Sequence, residues 1–338
     1  MIVALGTCRC LATHQRTHKR VRVLITGVAG FVGRHLVRHL LDTQPTIDLH
    51  GTALDSPSPL VPGDVAQHVL DLRDAEATRT FVERLAPDHI YHVAAQASVR
   101  RSFDAAWETL ENNIRGQLNI IHGALSMRVP PRILVVSSGE IYGDAAPEHL
   151  PSDETTPLRP SSPYSVSKVT QDMLGLQYFL SHNLPILRAR PFNHLGAGQS
   201  EGFVAPDFAM QIARVEAGQQ EPRLYVGTLT AERDFTDVRD VVRAYRLIME
   251  QGTPGDVYNV ASGITHTIQE MLDLFLRHST AQIEICLDPD RIRPASIPIL
   301  WGDSSRLTAL TGWQPTISFE QTLIDVLDDC RQRVSRVT

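Results

Sequence analysis

The chain has 338 residues, 42% hydrophobic and 21% charged, with a formal net charge of −6. This balance fits a folded protein of about two domains and excludes disorder, collagen and coiled coil. The acidic surplus argues against a nucleic-acid partner and no apolar run reaches the ~18 residues of a membrane span, while four cysteines suit a reducing, cytoplasmic compartment better than a disulfide framework.

Residues 1–20 carry several bases and no acid, and their short apolar start precedes the bases, unlike a secretory signal. They read as a disordered leader. Cys8 and Cys10 are too sparse for zinc, so no metal site is expected. VRVLITG (21–27) suits a buried parallel strand, and FVGRHLVRHLLD (31–42) has helical spacing. Strands are expected at 47–53, 67–72 and 88–94, a long helix at 107–127 and a strand at 132–138. A loop at 143–162, a helix at 162–182 and a strand at 184–190 follow. Such alternation predicts a doubly wound α/β fold with a parallel sheet. Beyond Pro191 the rhythm weakens, with helices expected near 204–218, 240–252, 267–278 and 318–331 and strands at 224–227 and 256–262. We therefore expect residues 21–190 plus 233–262 to form one domain, with 233–262 returning to the sheet. Residues 191–232 plus 263–338 are expected to form a smaller C-terminal lobe that meets substrate.

Gly27, Gly30 and Gly33 follow the first strand and open the first helix, in G-x-x-G-x-x-G spacing. Such glycines allow a tight turn, close approach to a pyrophosphate and packing of helix on strand, as in a Rossmann dinucleotide site. Asp55 lies at about the distance of a ribose-reading acid but beyond the end of its strand, and no Arg follows there to meet a 2′-phosphate. The choice between NADP and NAD stays open. Asp71 and Leu72, at the end of the third strand, are candidates to touch adenine, or an ordinary strand end.

The chain has only two lysines against thirty arginines. A lysine retained in such a composition marks a place where a compact, tunable charge is needed. Lys168 lies four residues after Tyr164 on an expected helix, hence on the same face. An ammonium there is expected to lower the phenol pKa and make Tyr164 a workable proton donor. Ser138 ends a strand where ligands of open α/β sheets collect, and its hydroxyl can bond a substrate carbonyl.

With H-x-A-A-Q (92–96), S-S-x-x-x-Y-G (137–143) and Y-x-x-x-K, these motifs resemble the extended short-chain dehydrogenases/reductases, over roughly residues 21–330. Within that superfamily the stretches RARPFNHLGAGQS (188–200) and GTLTAERDFTDVRDVVRAY (227–245) resemble nucleotide-sugar 4-ketoreductases. The resemblance implies that Ser138, Tyr164 and Lys168 reduce the 4-keto group of GDP-4-keto-6-deoxy-D-mannose with NADPH or NADH, giving GDP-D-rhamnose. It implies that Gly27, Gly30, Phe31, Val32, Gly33, Ala94, Ala95 and Gln96 line the cofactor, with Tyr164 and Lys168. Glu140, Asn193, Arg233 and Arg293 would contact the sugar nucleotide, the two arginines at its diphosphate. Asn113 would bridge backbone near the catalytic helix. A homodimer through the helices near 107–127 and 162–182 is also implied. Ala197 replaces the family's usual proline and is expected to loosen its loop. Gly139 stands where sugar 4,6-dehydratases place an acid, while Glu140 keeps a dehydratase or 4-epimerase open as the alternative. The loop after Phe192-Asn193-His194 lacks the Arg pair of GDP-mannose dehydratases, which favours the reductase. A non-catalytic dinucleotide sensor, a third possibility, is disfavoured by the intact Ser138, Tyr164 and Lys168.

Overall fold

A computed structural model describes residues 20–292 and 297–336. Its elements in chain order begin with β1 (Arg22–Thr26), α1 (Phe31–Thr43), β2 (Asp48–Ala53), β3 (Ala66–Val69), α2 (Ala75–Leu85) and β4 (His89–His92). Next come α3 (Val99–Asp104), α4 (Ala106–Leu125), β5 (Arg132–Val136), α5 (Pro163–His182), β6 (Ile186–Pro191) and β7 (Asn193–Leu195). They continue with α6 (Val204–Glu216), β8 (Arg223–Val226), β9 (Glu232–Asp237), α7 (Val238–Gln251), β10 (Val257–Val260) and β11 (Thr265–Thr267). The last are α8 (Ile268–Arg277), β12 (Glu284–Leu287), β13 (Ile299–Leu300), α9 (Ser305–Thr311) and α10 (Phe319–Ser335).

Seven parallel strands form the main sheet in the order β10-β6-β5-β4-β1-β2-β3. Alternation of side chains along β1 sends Val23 and Ile25 to one face and Leu24 to the other. On the first face Leu36 of α1, Tyr245 of α7 and Trp313 close one core. On the second, Phe81 of α2 and Ile120 and Ile121 of α4 close another. Strand order reverses between β1 and β4, so a ligand crevice is expected beyond their carboxyl ends.

A four-stranded sheet (β11-β9-β13, with β7 also on β9) and a β12-β8 pair form the second lobe. Helices α6, α8 and α10 pack there around Phe208, Phe235, Met271, Phe275 and Leu327. The doubly wound expectation holds, with particular differences. Residues 232–237 form β9 within the second sheet, and the chain rejoins the main sheet only through α7 and β10. Helix α2 was not foreseen, although Asp74 caps it on Ala77 N. Strands β7, β11 and β13 are two or three residues long, too short to show a period. Among the described residues no helix is long and apolar enough to cross a membrane.

Asp240 ties α7 to the segment leading into α10. Its buried carboxylate accepts from Thr316 N at 2.8 Å, Ile317 N at 2.9 Å and Arg243. Burial opposes its ionisation, but the bonds from Arg243, Ile317 and Thr316 outweigh that and hold its pKa below the ordinary value. Such a group stabilises the fold above the unfolded carboxylate pKa, and the contribution fades as pH falls through the folded one. Asp240→Ala is expected to cost about 3 kcal/mol at pH 7, with a smaller difference below pH 4, read by urea unfolding at both pH values.

Candidate active site

The β1–α1 turn depends on glycine at two points. Gly27 has φ +71°, and a Cβ there would lie 2.9 Å from Ala94 Cα, so the turn presses on the chain leaving β4. A Cβ on Gly33 would lie 2.3 Å from Gly27 O, so only glycine lets the helix settle on the strand. Gly30 opens α1 with no side-chain cap and no acid in the first turn, where Phe31 and Val32 stand. Helix dipole and first-turn N–H groups are thus available to an anion. Thr26 Oγ1 accepts from Ala94 N at 3.2 Å and lies 3.0 Å from His92 Nδ1. Ala94, Ala95 and Gln96 are half-buried just beyond β4.

Asn113 performs the expected bridge. Its Oδ1 accepts from Gln96 N at 2.8 Å, and its Nδ2 donates to Gln96 O at 3.1 Å and to Ser167 Oγ at 2.9 Å. It thereby ties the chain after β4 to helix α5. Asp71 is engaged by Arg73, whose hydrogen bonds hold its pKa below the ordinary value. Leu72 O accepts from Asn119 Nδ2 at 2.7 Å. Asp55 lies exposed, beyond the end of β2.

Helix α5 begins with a capping box between Ser162 and Ser165 and has Pro163 in its first turn. That start puts Tyr164 in the first turn and Lys168 one turn on, both buried. Lys168 Nζ donates to Val136 O at 2.9 Å and lies 5.9 Å from the Tyr164 ring centre. Ser138 Oγ accepts from Glu140 N at 3.2 Å and caps a short turn of helix over Gly139–Tyr142. Its hydroxyl also bonds Tyr164. The structure thus brings Ser138, Tyr164 and Lys168 together.

The electrostatics differ from the expectation that Lys168 acidifies Tyr164. Burial pushes the Tyr164 phenol up to about 12; the bond with Ser138 pulls it down, and the Glu140 charge pushes it up again. Burial likewise takes the Lys168 ammonium down to about 7. Desolvation is the largest influence on both groups, because each charged form has left water. A neighbour given no role in the sequence, though it opens the H-x-A-A-Q motif, is His92, buried and with its pKa pushed down to about 3, first by burial and then by Lys168. Its Thr26 partner stands directly before Gly27, a signal the sequence did carry.

Glu140 is half-buried beside this cluster. A Cβ on Gly139 would meet the Phe192 ring at 2.9 Å, so the turn lies flush on that ring. Asn193 begins β7, next to Phe235 of β9, and its Oδ1 is buried with no hydrogen-bond partner. Arg233 lies on β9 and its guanidinium donates to Glu232 O at 2.7 Å. Arg293 falls outside the described residues. The loop after His194 is held at three points, unlike the expected loosening at Ala197. His35 Nε2 donates to Ala197 O at 2.9 Å, Arg34 to Gly198 O at 2.8 Å, and Gly198 N to Asp329 at 2.9 Å.

Parallel sheet, glycine turn and buried Ser-Tyr-Lys cluster together define an extended short-chain dehydrogenase/reductase. Comparison with known proteins narrows this. The family model described as GDP-mannose 4,6 dehydratase matches residues 24–326, and the chain belongs to that family. It is 36% identical over 313 residues to GDP-6-deoxy-D-mannose reductase of Pseudomonas aeruginosa, covering 93% of this chain and 98% of the relative. It is 29% identical to GDP-mannose 4,6 dehydratase 2 of Arabidopsis thaliana, over 90% of this chain and 86% of the relative. The structure of RMD from Pseudomonas aeruginosa complexed with NADPH superposes with a TM-score of 0.80 at 34% identity, over 93% of this chain and all of that one. The resemblance drawn from the motifs is borne out.

Because Lys168 has a folded pKa below its ordinary value, its charge penalises the fold fully below about pH 7, and the penalty fades as pH rises toward the ordinary lysine range. Lys168→Met is therefore expected to abolish turnover yet stabilise the cofactor-free protein by about 1–3 kcal/mol at pH 7, with less gain at pH 10, as read by thermal unfolding.

Proposed function

We propose that the chain is an NAD(P)H-dependent nucleotide-sugar 4-ketoreductase that converts GDP-4-keto-6-deoxy-D-mannose to GDP-D-rhamnose. The observation that carries this is the buried cluster of Ser138, Tyr164 and Lys168 beyond the ends of the parallel strands. Likeness to the Pseudomonas reductase supports the choice of sugar nucleotide. The residues present fit a dinucleotide: glycine at 27 and 33 lets the turn close tightly against Ala94 and the start of α1, and that start has no side-chain cap on its N–H groups. Gly27, Gly30, Phe31, Val32 and Gly33 would hold the pyrophosphate, Asp71 and Leu72 the adenine end, and Ala94, Ala95 and Gln96 the middle.

A bound reduced nicotinamide supplies the hydride that becomes the new C4–H bond. Tyr164 gives its phenolic proton to O4 and is reprotonated from solvent. A phenol with its pKa near 12 stays loaded with that proton at neutral pH, and an alkoxide is basic enough to take it. Reduction therefore does not require the lowered phenol pKa that oxidation would. Ser138 Oγ accepts from Glu140 N, and its O–H, which bonds Tyr164 in the unliganded site, would turn to donate to the carbonyl oxygen. Lys168 spends one donor on Val136 O and has others for ribose hydroxyls. Asn193, through its unpartnered amide oxygen, would accept from a sugar hydroxyl. Arg233, with Arg293, would take the diphosphate. In this reading the domain around the main sheet holds the cofactor, and the elements around the second sheet, β9 among them, hold the sugar nucleotide.

A 4,6-dehydratase is the second reading, favoured by Glu140, whose charge reaches Tyr164. Supplying GDP-mannose with NADP, and separately GDP-4-keto-6-deoxymannose with NADPH, decides between them: consumption of only the first overturns the reductase. Tyr164→Phe is expected to lower turnover of the keto sugar at least ~100-fold. Wild-type rates in that variant would remove the proton donor from the scheme.

The same proposal places the enzyme in the cytoplasm as a homodimer. Val166, Met173 and Leu180, seven residues apart along α5, are 42%, 37% and 70% exposed, and Trp107 at the start of α4 is 75% exposed. Apolar residues at that spacing make a seam for a second helix pair. Met173→Glu combined with Leu180→Glu is expected to give a monomer in sedimentation, against a dimer for the wild type.

A further inference from the structure

Helix α5 presents Tyr164, Lys168 and Asp172 on one face, at successive intervals of four residues. Asp172 is fully buried and is not part of the chemistry described above. Its carboxylate receives Arg188 Nη1 at 2.6 Å, Arg190 Nε at 2.8 Å and Arg190 Nη2 at 3.1 Å. The free edge of the Arg190 guanidinium then donates to the Tyr142 hydroxyl at 3.0 Å. That hydroxyl in turn donates a hydrogen bond to Asn259 Oδ1 of β10 at 2.7 Å. Tyr142 ends the one-turn helix that Ser138 begins. Its ring lies 5.4 Å beneath the Arg190 guanidinium and stacks at 5.9 Å on Phe192, the same ring that Gly139 touches. Both ends of the Ser138–Tyr142 turn are therefore fixed. Ser138 holds the first end through Glu140 N, and Tyr142 holds the second through Arg190 and the catalytic helix.

We propose that Tyr142, acting through Arg190 and Asp172, is a positioning residue for the reduction, holding the Ser138 hydroxyl in register with Tyr164. This deepens the ketoreductase reading and rests on it. A hydroxyl donor at a carbonyl works only within a narrow geometry, and small displacements cost rate rather than binding. The Tyr142 oxygen never needs to meet substrate for this; its bonds act on the turn.

The test is a double-mutant cycle of Tyr142→Phe and Ser138→Ala on the full chain, assayed with GDP-4-keto-6-deoxymannose and NADPH. Phenylalanine keeps the ring stack and removes only the hydroxyl. Tyr142→Phe is expected to lower kcat roughly tenfold with the KM for NADPH changed less than about twofold, and to have no further effect once Ser138 is alanine. An equal loss in both backgrounds, or none in either, overturns the proposal. Arg190→Lys, which keeps a charge on Asp172 but withdraws the fork from Tyr142, repeats the cycle if the first variant does not fold. Amide hydrogen exchange gives a readout independent of substrate. Tyr142→Phe should speed exchange across 138–143 while α5 keeps its protection; unchanged exchange there overturns the proposal even if the sugar assay fails. If Ser138→Ala alone leaves turnover intact, the catalytic reading of Ser138 fails instead.

Discussion

The site depends on how α5 is fixed against the sheet. Asp172 has lost all contact with water and stands between two guanidinium groups of β6. A buried carboxylate of this kind is poor evidence of net stability, since desolvating three charges offsets most of their attraction. Its effect is geometric. The helix that carries Tyr164 and Lys168 has one rotation and one height at which Asp172 meets both arginines. The capping box at Ser162 sets where that helix starts, and Asn113 fastens the same helix to the chain after β4. Tyr164 and Lys168, the chain after β4 and the Ser138 turn are all positioned against this one element.

Burial and the nearest charges act in the same direction at the centre. Tyr164 and Lys168 are close enough to interact, yet both are pushed toward neutrality by loss of water. A phenol that keeps its proton and an amine poised near neutral suit a protein that donates a proton to a new alkoxide. The same environment makes His92 a neutral packing partner rather than a second base.

Much of the main sheet was legible because central strands such as β1 and β5 are apolar runs, each followed by helical spacing or a turn. Gly27, Gly30 and Gly33 announce their turn by the lack of any side chain where backbone meets backbone. Lys168 was legible through rarity, in a chain that otherwise uses arginine. The second lobe was harder to read. Its strands are short, partly polar and paired out of chain order, so β9 looked like a return to the main sheet. The Asp172–Arg190–Tyr142 chain was invisible for another reason. Its members are scattered along the sequence, and each alone looks like an ordinary charge or aromatic. Only the packing of β6 between α5 and the Ser138 turn makes them neighbours.

The loop at Ala197 and Gly198 joins parts of the molecule that the lobes would otherwise keep apart. Arg34 and His35, in the first turns of α1, grip its carbonyls, while Asp329 of α10 takes the Gly198 amide from the other side. The last long helix of the chain is thus wired to the first. A cut or frameshift that removed α10 would not merely trim the periphery. It would take Asp329 from the Gly198 amide and free one side of the loop that Arg34 and His35 hold on the other, so damage at the carboxyl end would be felt beside the opening turn of the molecule.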